Sequence, residues 1–265
     1  VIEASLSYGD RTFSVSGADS LFSVGDIGIL HDGAVRPSDS AGVNYQVVKI
    51  ESISSDDITI VGKIESNFSV SDITFKHYTD QLRNIKVVGF NVAHTDTHTG
   101  AGIYIQGEDV EVDAIYSTNF YGNAVTISES YGIHVGYVSP KNPRAVGSGQ
   151  GYGLSLRKAS NFYVGEVDAL ACRHAFDCDS AYNGTINFVS DPDDQSATVG
   201  LAHNGFAGGI TLNKVVTRSS QYATVCSAQG FGTNPLNARR ENHPFRNIHI
   251  GEVELTRKGD KTVND

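Results

Sequence analysis

The 265-residue chain has no tryptophan, no methionine, six prolines and three cysteines. With no methionine to fill irregular gaps and with 28 glycines to distribute, a helical bundle with plastic packing is disfavoured and a many-turned β protein is expected. An excess of basic residues is also missing. Lysine and arginine total 20 against 30 aspartates and glutamates, a formal charge of −10. Such a chain repels phosphate backbones and anionic lipid heads, so neither nucleic acid nor a membrane surface is expected as a partner. The pair Arg239-Arg240 is no basic patch. No apolar run approaches the roughly 18 residues that a membrane-crossing helix requires. The chain opens Val1-Ile-Glu-Ala-Ser5, with neither an initiator methionine nor a signal peptide, and stops soon after a repeat copy; it is expected to be a fragment, truncated at the C-terminus.

The cysteines, Cys172, Cys178 and Cys226, are odd in number and lack a Cys-x-x-Cys pairing. No Gly-x-Ser-x-Gly, Walker-type loop or dinucleotide fingerprint occurs; Gly147-Ser-Gly-Gln-Gly151 lacks the lysine and the following helix. No cofactor is expected.

What the chain does have is a repeat. Six-residue units begin at Ile85, Val110, Ile133, Phe162, Gly184, Ile210 and Ile248, spaced 25, 23, 29, 22, 26 and 38 residues apart. In register, the first and third columns are apolar (Val112, Val135, Val164) and the second is polar (Lys86, Glu111, His134, Tyr163, Thr185, Thr211, His249), the period-two alternation of a strand. Column four is Gly, Asn or Asp in six of seven copies, residues that tolerate a left-handed backbone, so a sharp bend is expected there. Column six (Phe90, Ile115, Val138, Val167, Val189, Val215, Val253) returns to the core. A second inward strand follows, as at Val125-Thr-Ile127 and Leu154-Ser-Leu156. The spacings lack a period of 3.6, and tight-hairpin dipeptides such as Asn204-Gly205 are scarce, against helices and against a propeller or sandwich. The expected fold is all-β, a single-stranded parallel β-helix (solenoid) of about seven regular rungs, each burying its core only against its neighbours. Residues 81–265 form this solenoid; residues 1–80 carry strand signals without the repeat and are expected as an irregular β cap covering its first rung. Because Cys178 and Cys226 are 48 residues apart, as are Phe162 and Ile210, both are assigned to one inward column two rungs apart. That is roughly 9.6 Å, too far for a disulfide.

Insertions recur after column six, at 92–100, 117–122, 139–151, 169–174 and 190–200, and the fourth is much the shortest. A notch is therefore expected there, walled by 139–151 and 190–200. On its floor Glu166 and Asp168, two apart on a strand, lie on one face with Cα atoms roughly 6.5–7 Å apart. Paired carboxylates at such a distance divide acid and base roles in glycoside hydrolysis, though outward carboxylates are more often only solvated. Beside them are placed Arg173, His174 and an outward-pointing Asp177, with Arg144 on the longer wall; a guanidinium can clamp a sugar carboxylate and a histidine can move a proton. Tyr137, Tyr163 and Phe188 project outward on adjacent rungs, suited to stacking on sugar rings or to an oligomer contact. The spacing His94-x-Asp96-x-His98 and the cluster Asp191-Pro-Asp-Asp194 both carry metal-ligand types; the first reads as a solvated threonine-rich loop, the second lacks the glycine and glutamate of a calcium loop, and no metal is expected.

The runs Asn-Ile-Lys-Val-Val-Gly-Phe at 84–90, Ile-His-Val-Gly-Tyr-Val at 133–138 and Cys-Arg-His-Ala-Phe-Asp at 172–177, preceded by Phe-Ser-Val-Gly-Asp-Ile at 22–27, resemble the pectate-lyase-like β-helix bodies of bacteriophage tail spikes and tail appendages. The resemblance covers most of the chain at the level of fold rather than of a catalytic motif. It implies a right-handed coil, a homotrimer on the virion tail, and a partner in the surface polysaccharide of a bacterial host. It departs from true pectate lyases in lacking a calcium-aspartate cluster with a catalytic arginine. The function expected is a spike body that binds and cleaves host polysaccharide, hydrolase before lyase. Glu166, Asp168, His174 and Asp177 would be catalytic, and Arg173, Arg144, Tyr137, Tyr163 and Phe188 would bind substrate, with Arg173 and His174 orienting an acidic sugar. The alternatives are an adhesin that cuts nothing and a structural appendage segment.

Overall fold

The computed structural model describes residues 2, 4–32, 45–65, 67–68, 73–77, 81–93, 100–147, 149–195, 198–201, 207–217, 226–227 and 245–255. It is almost wholly β. Five antiparallel strands, β1 (Thr12–Ser14), β2 (Ile27–Asp32), β3 (Tyr45–Ser54), β4 (Asp57–Ile60) and β5 (Ile73–His77), form one sheet in the order β1-β4-β3-β2-β5, with a single helical turn at Ala18–Leu21. Twelve further strands form a second sheet, coiled into a β-solenoid of about five turns. They are β6 (Lys86–Val88), β7 (Asn91–Ala93), β8 (Ile103–Ile105), β9 (Glu108–Asp113), β10 (Ile115–Thr118), β11 (Asn123–Lys141), β12 (Tyr152–Asp168), β13 (His174–Asp191), β14 (Val199–Gly200), β15 (Ala207–Thr217), β16 (Cys226–Ser227) and β17 (Phe245–Leu255).

The repeat register is visible atom by atom. Parallel pairing runs from Lys86 to Glu111, His134, Tyr163, Thr185, Thr211 and His249, each opposite the next. Inside the stack the apolar columns are buried: Val112, Val135, Val164, Ile186 and Leu212 expose nothing. In the first and last described rungs burial is lower. Phe90 is 51% and Val253 40% exposed, because an inward column buries a side chain only where a neighbouring rung lies on each side. Column one shows complementary packing: Phe162 lies opposite Gly184, whose missing side chain leaves room for the ring.

The left-handed bend is not at column four. It falls one residue before column one, where Asn84, Asp109, Gly132, Asn161, Asn183, Gly209 and Asn247 all have positive φ, from 51° to 69°. Asn, Asp and Gly populate that region at least cost, so these seven positions turn the chain into each strand. A further bend carries positive φ at Glu129 of β11, Lys158 of β12 and Ser180 of β13, and another at Asn142 and Ala171 in the loops that follow β11 and β12. Column four is small for another reason. A Cβ at Gly165 would lie 2.5 Å from the carbonyl oxygen of Gly136, and one at Gly251 would lie 2.6 Å from that of Asn213. The backbone there presents its side-chain direction to the next rung, which leaves space for glycine or for an asparagine that bonds its counterpart, as Asn213 Nδ2 does to Asn187 Oδ1 at 3.3 Å.

The antiparallel sheet, expected over the first rung, makes its described contacts with the solenoid along one flank. Strand β3 touches β11, β12 and β13. Its alternation serves two surfaces: Val48 and Ile50 enter the sheet's own core with Phe13, Ile58 and Ile60, while Val47, with Ile27 and Ile29, packs on Tyr131 of β11. Ion pairs fix the join. Lys49 Nζ lies 2.6 Å from Oε1 of buried Glu108, whose Oε2 meets Arg83 at 3.1 Å. Lys158 bridges Glu129 at 2.8 Å and covers the Tyr45 ring at 4.3 Å. At the far end of the stack, Tyr8 bonds Asn247 of β17.

The cysteine register also shifts. Strand β16 places Cys226 opposite Val199, and Val199 opposite Phe176, so Cys226 is in backbone register with Phe176 and not with Cys178. Loop lengths between the strands of one turn vary, so equal spacing in sequence does not give equal register. Cys172 and Cys178 are fully buried.

Candidate functional site

Where a notch was expected, the described residues of the insertions are tied together. Their backbones extend the ladder: Asn142 N–H bonds Leu170 O at 2.9 Å, Arg173 N–H bonds Gly151 O at 2.8 Å, and Gln195 N–H bonds Cys172 O at 2.8 Å. The short loop is thereby joined to both longer neighbours. Asp191, fully buried, accepts the backbone N–H groups of Ala171 (3.0 Å), Cys172 (2.9 Å) and Asp193 (3.1 Å). Burial outweighs these three donors and pushes its carboxyl up to about 7, with Asp194 adding in the same direction. Burial, with Asp191 beside it, also pushes the Cys172 thiol well up, which keeps it inert. Asp194, equally buried, accepts from the hydroxyls of Thr198 at 2.9 Å and Thr217 at 3.1 Å.

The predicted site residues divide into two groups. Around the short loop, Arg173 donates to Gly147 O at 2.6 Å and to the Tyr152 hydroxyl at 3.3 Å, its guanidinium 5.6 Å from the centre of the Tyr152 ring. His174 is fully buried and stacks on the Tyr152 ring at 5.2 Å. Asp177, expected to point into solvent, is 2% exposed; Ser155 donates to it at 3.5 Å, and its Oδ1 occupies the space a side chain at Gly200, its register partner, would take. Burial chiefly, with Asp177 nearby, raises the Tyr152 phenol. Arg144 is exposed in the loop between β11 and β12, its backbone N–H on Phe120 O at 2.8 Å. In this arrangement His174 and Asp177 cannot touch a ligand on the surface.

The second group stands on the outer face of the first strand of each turn. Tyr137, Glu166 and Phe188 lie opposite one another on β11, β12 and β13. Tyr163, 39% exposed, stacks on His134 of the preceding rung at 5.1 Å with ring planes 19° apart. Tyr116, 46% exposed, meets Tyr137 at 5.7 Å. The Tyr137 hydroxyl donates to Asp168 Oδ2 at 3.2 Å and Lys141 pairs with the same oxygen at 3.1 Å. Burial raises the Tyr137 phenol, so it stays a donor. Glu166 is exposed, and among the described residues no hydrogen bond or ion pair engages its carboxylate. Sequence reasoning found Tyr137, Tyr163, Glu166, Asp168 and Phe188 here and missed Tyr116 and Lys141. The signal for Tyr116 was present, since it falls in the same outward column as Asp168.

The segment His94–His98 lies outside the described residues. Among the described residues no group of His, Cys, Asp or Glu is arranged to hold a metal ion, and no helix is long and apolar enough to cross a membrane.

No protein-family model matches the chain, and no curated protein matches it in sequence. Solved structures do. The tailspike gp61 of Pseudomonas phage phi297 superposes with a TM-score of 0.60 at 15% identity, over 100% of this chain and 60% of its own. The gp54 tailspike of Acinetobacter baumannii bacteriophage AP22, solved in complex with A. baumannii capsular saccharide, gives 0.54 at 11% identity, over 99% of this chain and 46% of its own. The chain thus spans about half of each of these proteins. At such identities the likeness is one of fold, and the fold is the one that the resemblance in the rungs implies.

Proposed function

We propose that this chain is part of the body of a phage tail spike and binds bacterial surface polysaccharide on the outer face of β11, β12 and β13. The observation that carries the reading is the pair of exposed ring contacts on adjacent rungs, Tyr163 on His134 and Tyr116 on Tyr137. Preformed ring pairs, one stacked at 19° and one tilted at 55°, offer apolar faces to sugar rings at little cost in side-chain entropy. The superposition on a tailspike that holds a capsular saccharide supports it at the level of fold. In this reading the coil is right-handed, the sense that parallel crossovers take. Residues 1–80 form a separate unit beside the solenoid of 81–265, and the spike is a homotrimer on the virion tail. Binding is tested by titrating purified polysaccharide of a bacterial host against wild type and Tyr163→Ala. Loss of one stacking ring should raise Kd about fivefold to tenfold. An unchanged Kd, with the variant changing the oligomeric state instead, would assign the rings to a subunit contact.

A second reading, cleavage, is favoured by one arrangement. Asp168 is held by Lys141 and Tyr137 on one oxygen, while Glu166, two residues earlier on the same face, is unengaged among the described residues. A fixed, charge-compensated carboxylate suits a base or nucleophile, and a free neighbour suits the acid of a glycosidase. New reducing ends from host polysaccharide, abolished in both Glu166→Gln and Asp168→Asn, are the expected result. Binding without new ends leaves the protein an adhesin, and unsaturated products would make it a lyase.

A further inference from the structure

From the pairing of charges on this face we infer that it takes polysaccharides without negative charge, neutral or amine-bearing, and turns acidic ones away. The inference rests on the reading that the face binds polysaccharide. Every lysine on it, among the described residues, is already neutralised: Lys86 by Glu111 at 2.7 Å, Lys141 by Asp168 at 3.1 Å, and Lys214 by Glu252 at 3.0 Å and Glu254 at 3.2 Å. The unengaged charge among the rings is the carboxylate of Glu166, set between Tyr137 and Phe188 in register. The cation that would have clamped a sugar carboxylate, Arg173, is instead bonded to Gly147 O and the Tyr152 hydroxyl in the loop ladder.

A uronate or sialate ring stacked on Tyr163 or Tyr137 would therefore meet Glu166 with every lysine described on this face already paired. Recruiting Lys141 would strip Asp168 of its partner and leave two carboxylates facing the ligand's third. Like charges within a few ångströms of one another repel even in water, and more so where the rings exclude it. The −10 charge of the whole chain adds a long-range term of the same sign. A neutral sugar meets none of this, and an amino sugar gains an ion pair with Glu166.

The test is binding of the full chain to an array of bacterial surface polysaccharides grouped by charge, at low salt, for wild type, Glu166→Gln and Glu166→Lys. Expected is binding confined to neutral and amine-bearing members, with discrimination against acidic ones of about tenfold or more. That discrimination should shrink in Glu166→Gln and reverse in Glu166→Lys. An acidic polysaccharide bound by wild type as tightly as a neutral one would overturn the inference and leave the binding reading intact. Discrimination unmoved by Glu166→Lys would overturn the part given to Glu166. No polysaccharide bound at all would remove the binding reading, and the inference with it.

Discussion

Substituting Gly184 by alanine probes the complementarity that lets the widest ring in column one fit its rung. The added Cβ would lie 2.1 Å from Cζ and 2.2 Å from Cε2 of Phe162, where an ordinary carbon contact needs roughly 3.5–4.0 Å. About 1.5 Å must be found. The ring is 4% exposed and has Ile133, 3% exposed, opposite it on the other rung, so it cannot slide along the stack without a second clash. The backbone of Gly184 is not left-handed, so alanine adds no conformational strain and the cost is overpacking, about 2–3 kcal/mol. For a chain of this size that is a fall in Tm of roughly 5–10 °C. Thermal melts followed by far-ultraviolet circular dichroism would read it. The cause is isolated by adding Phe162→Leu, which alone leaves a small cavity but relieves the clash, so the double variant should be at least about 1 kcal/mol more stable than additivity allows. A Gly184→Ala protein that melts with the wild type, or penalties that simply add, would refute the packing described.

The raised carboxyl of Asp191 makes a pH signature. Its folded-state value of about 7 stands above the ordinary 3.8, so the folded chain holds the proton more tightly. The associated stability is fully present below pH 3.8 and is lost as pH rises through 7, by up to about 4 kcal/mol. Asp191→Asn should remove that slope, and a wild-type-minus-variant stability difference that does not change between pH 4 and 8 would count against it. Glu108→Gln should release the join between the flanking sheet and β9 at a cost on the order of 2 kcal/mol, reduced from a fully buried pair because Lys49 and Arg83 are 30% and 55% exposed. Urea titration reads that loss, and an unchanged midpoint would show the cluster to be energetically neutral.

The solenoid was legible because an inner position such as Val135 or Val164 has one requirement, to be apolar, repeated at every turn. The same reasoning fails for Phe90 and Val253, whose burial depends on a neighbour and not on their own chemistry. The bend was misplaced because Gly, Asn and Asp answer to two different demands. Before column one they supply positive φ at Asn161 and Asn183; at column four Gly136 and Gly165 supply absence of bulk, and composition is the same for both. In the site, period-two alternation correctly put Glu166 and Asp168 on one face. It could not say that Asp177, on the outer side of its own strand, would be covered, or that Arg173 would spend its donors on Gly147 and Tyr152. Which side a residue faces is local information; what lies over it depends on loops distant in sequence.

The antiparallel sheet along the flank changes how the molecule comes apart. A column of turns touching only their neighbours unravels level by level, each loss independent of the far end. Here one strip is bound to β9 through Glu108, to β11 through Tyr131, to β12 through Lys158 and to β17 through Asn247. It works as a splint: the outer levels cannot peel without breaking from it, and it cannot lift without loosening several levels together. A fold built by repetition should thereby melt with more of the all-or-none cooperativity of a globular domain than stacking alone would give it.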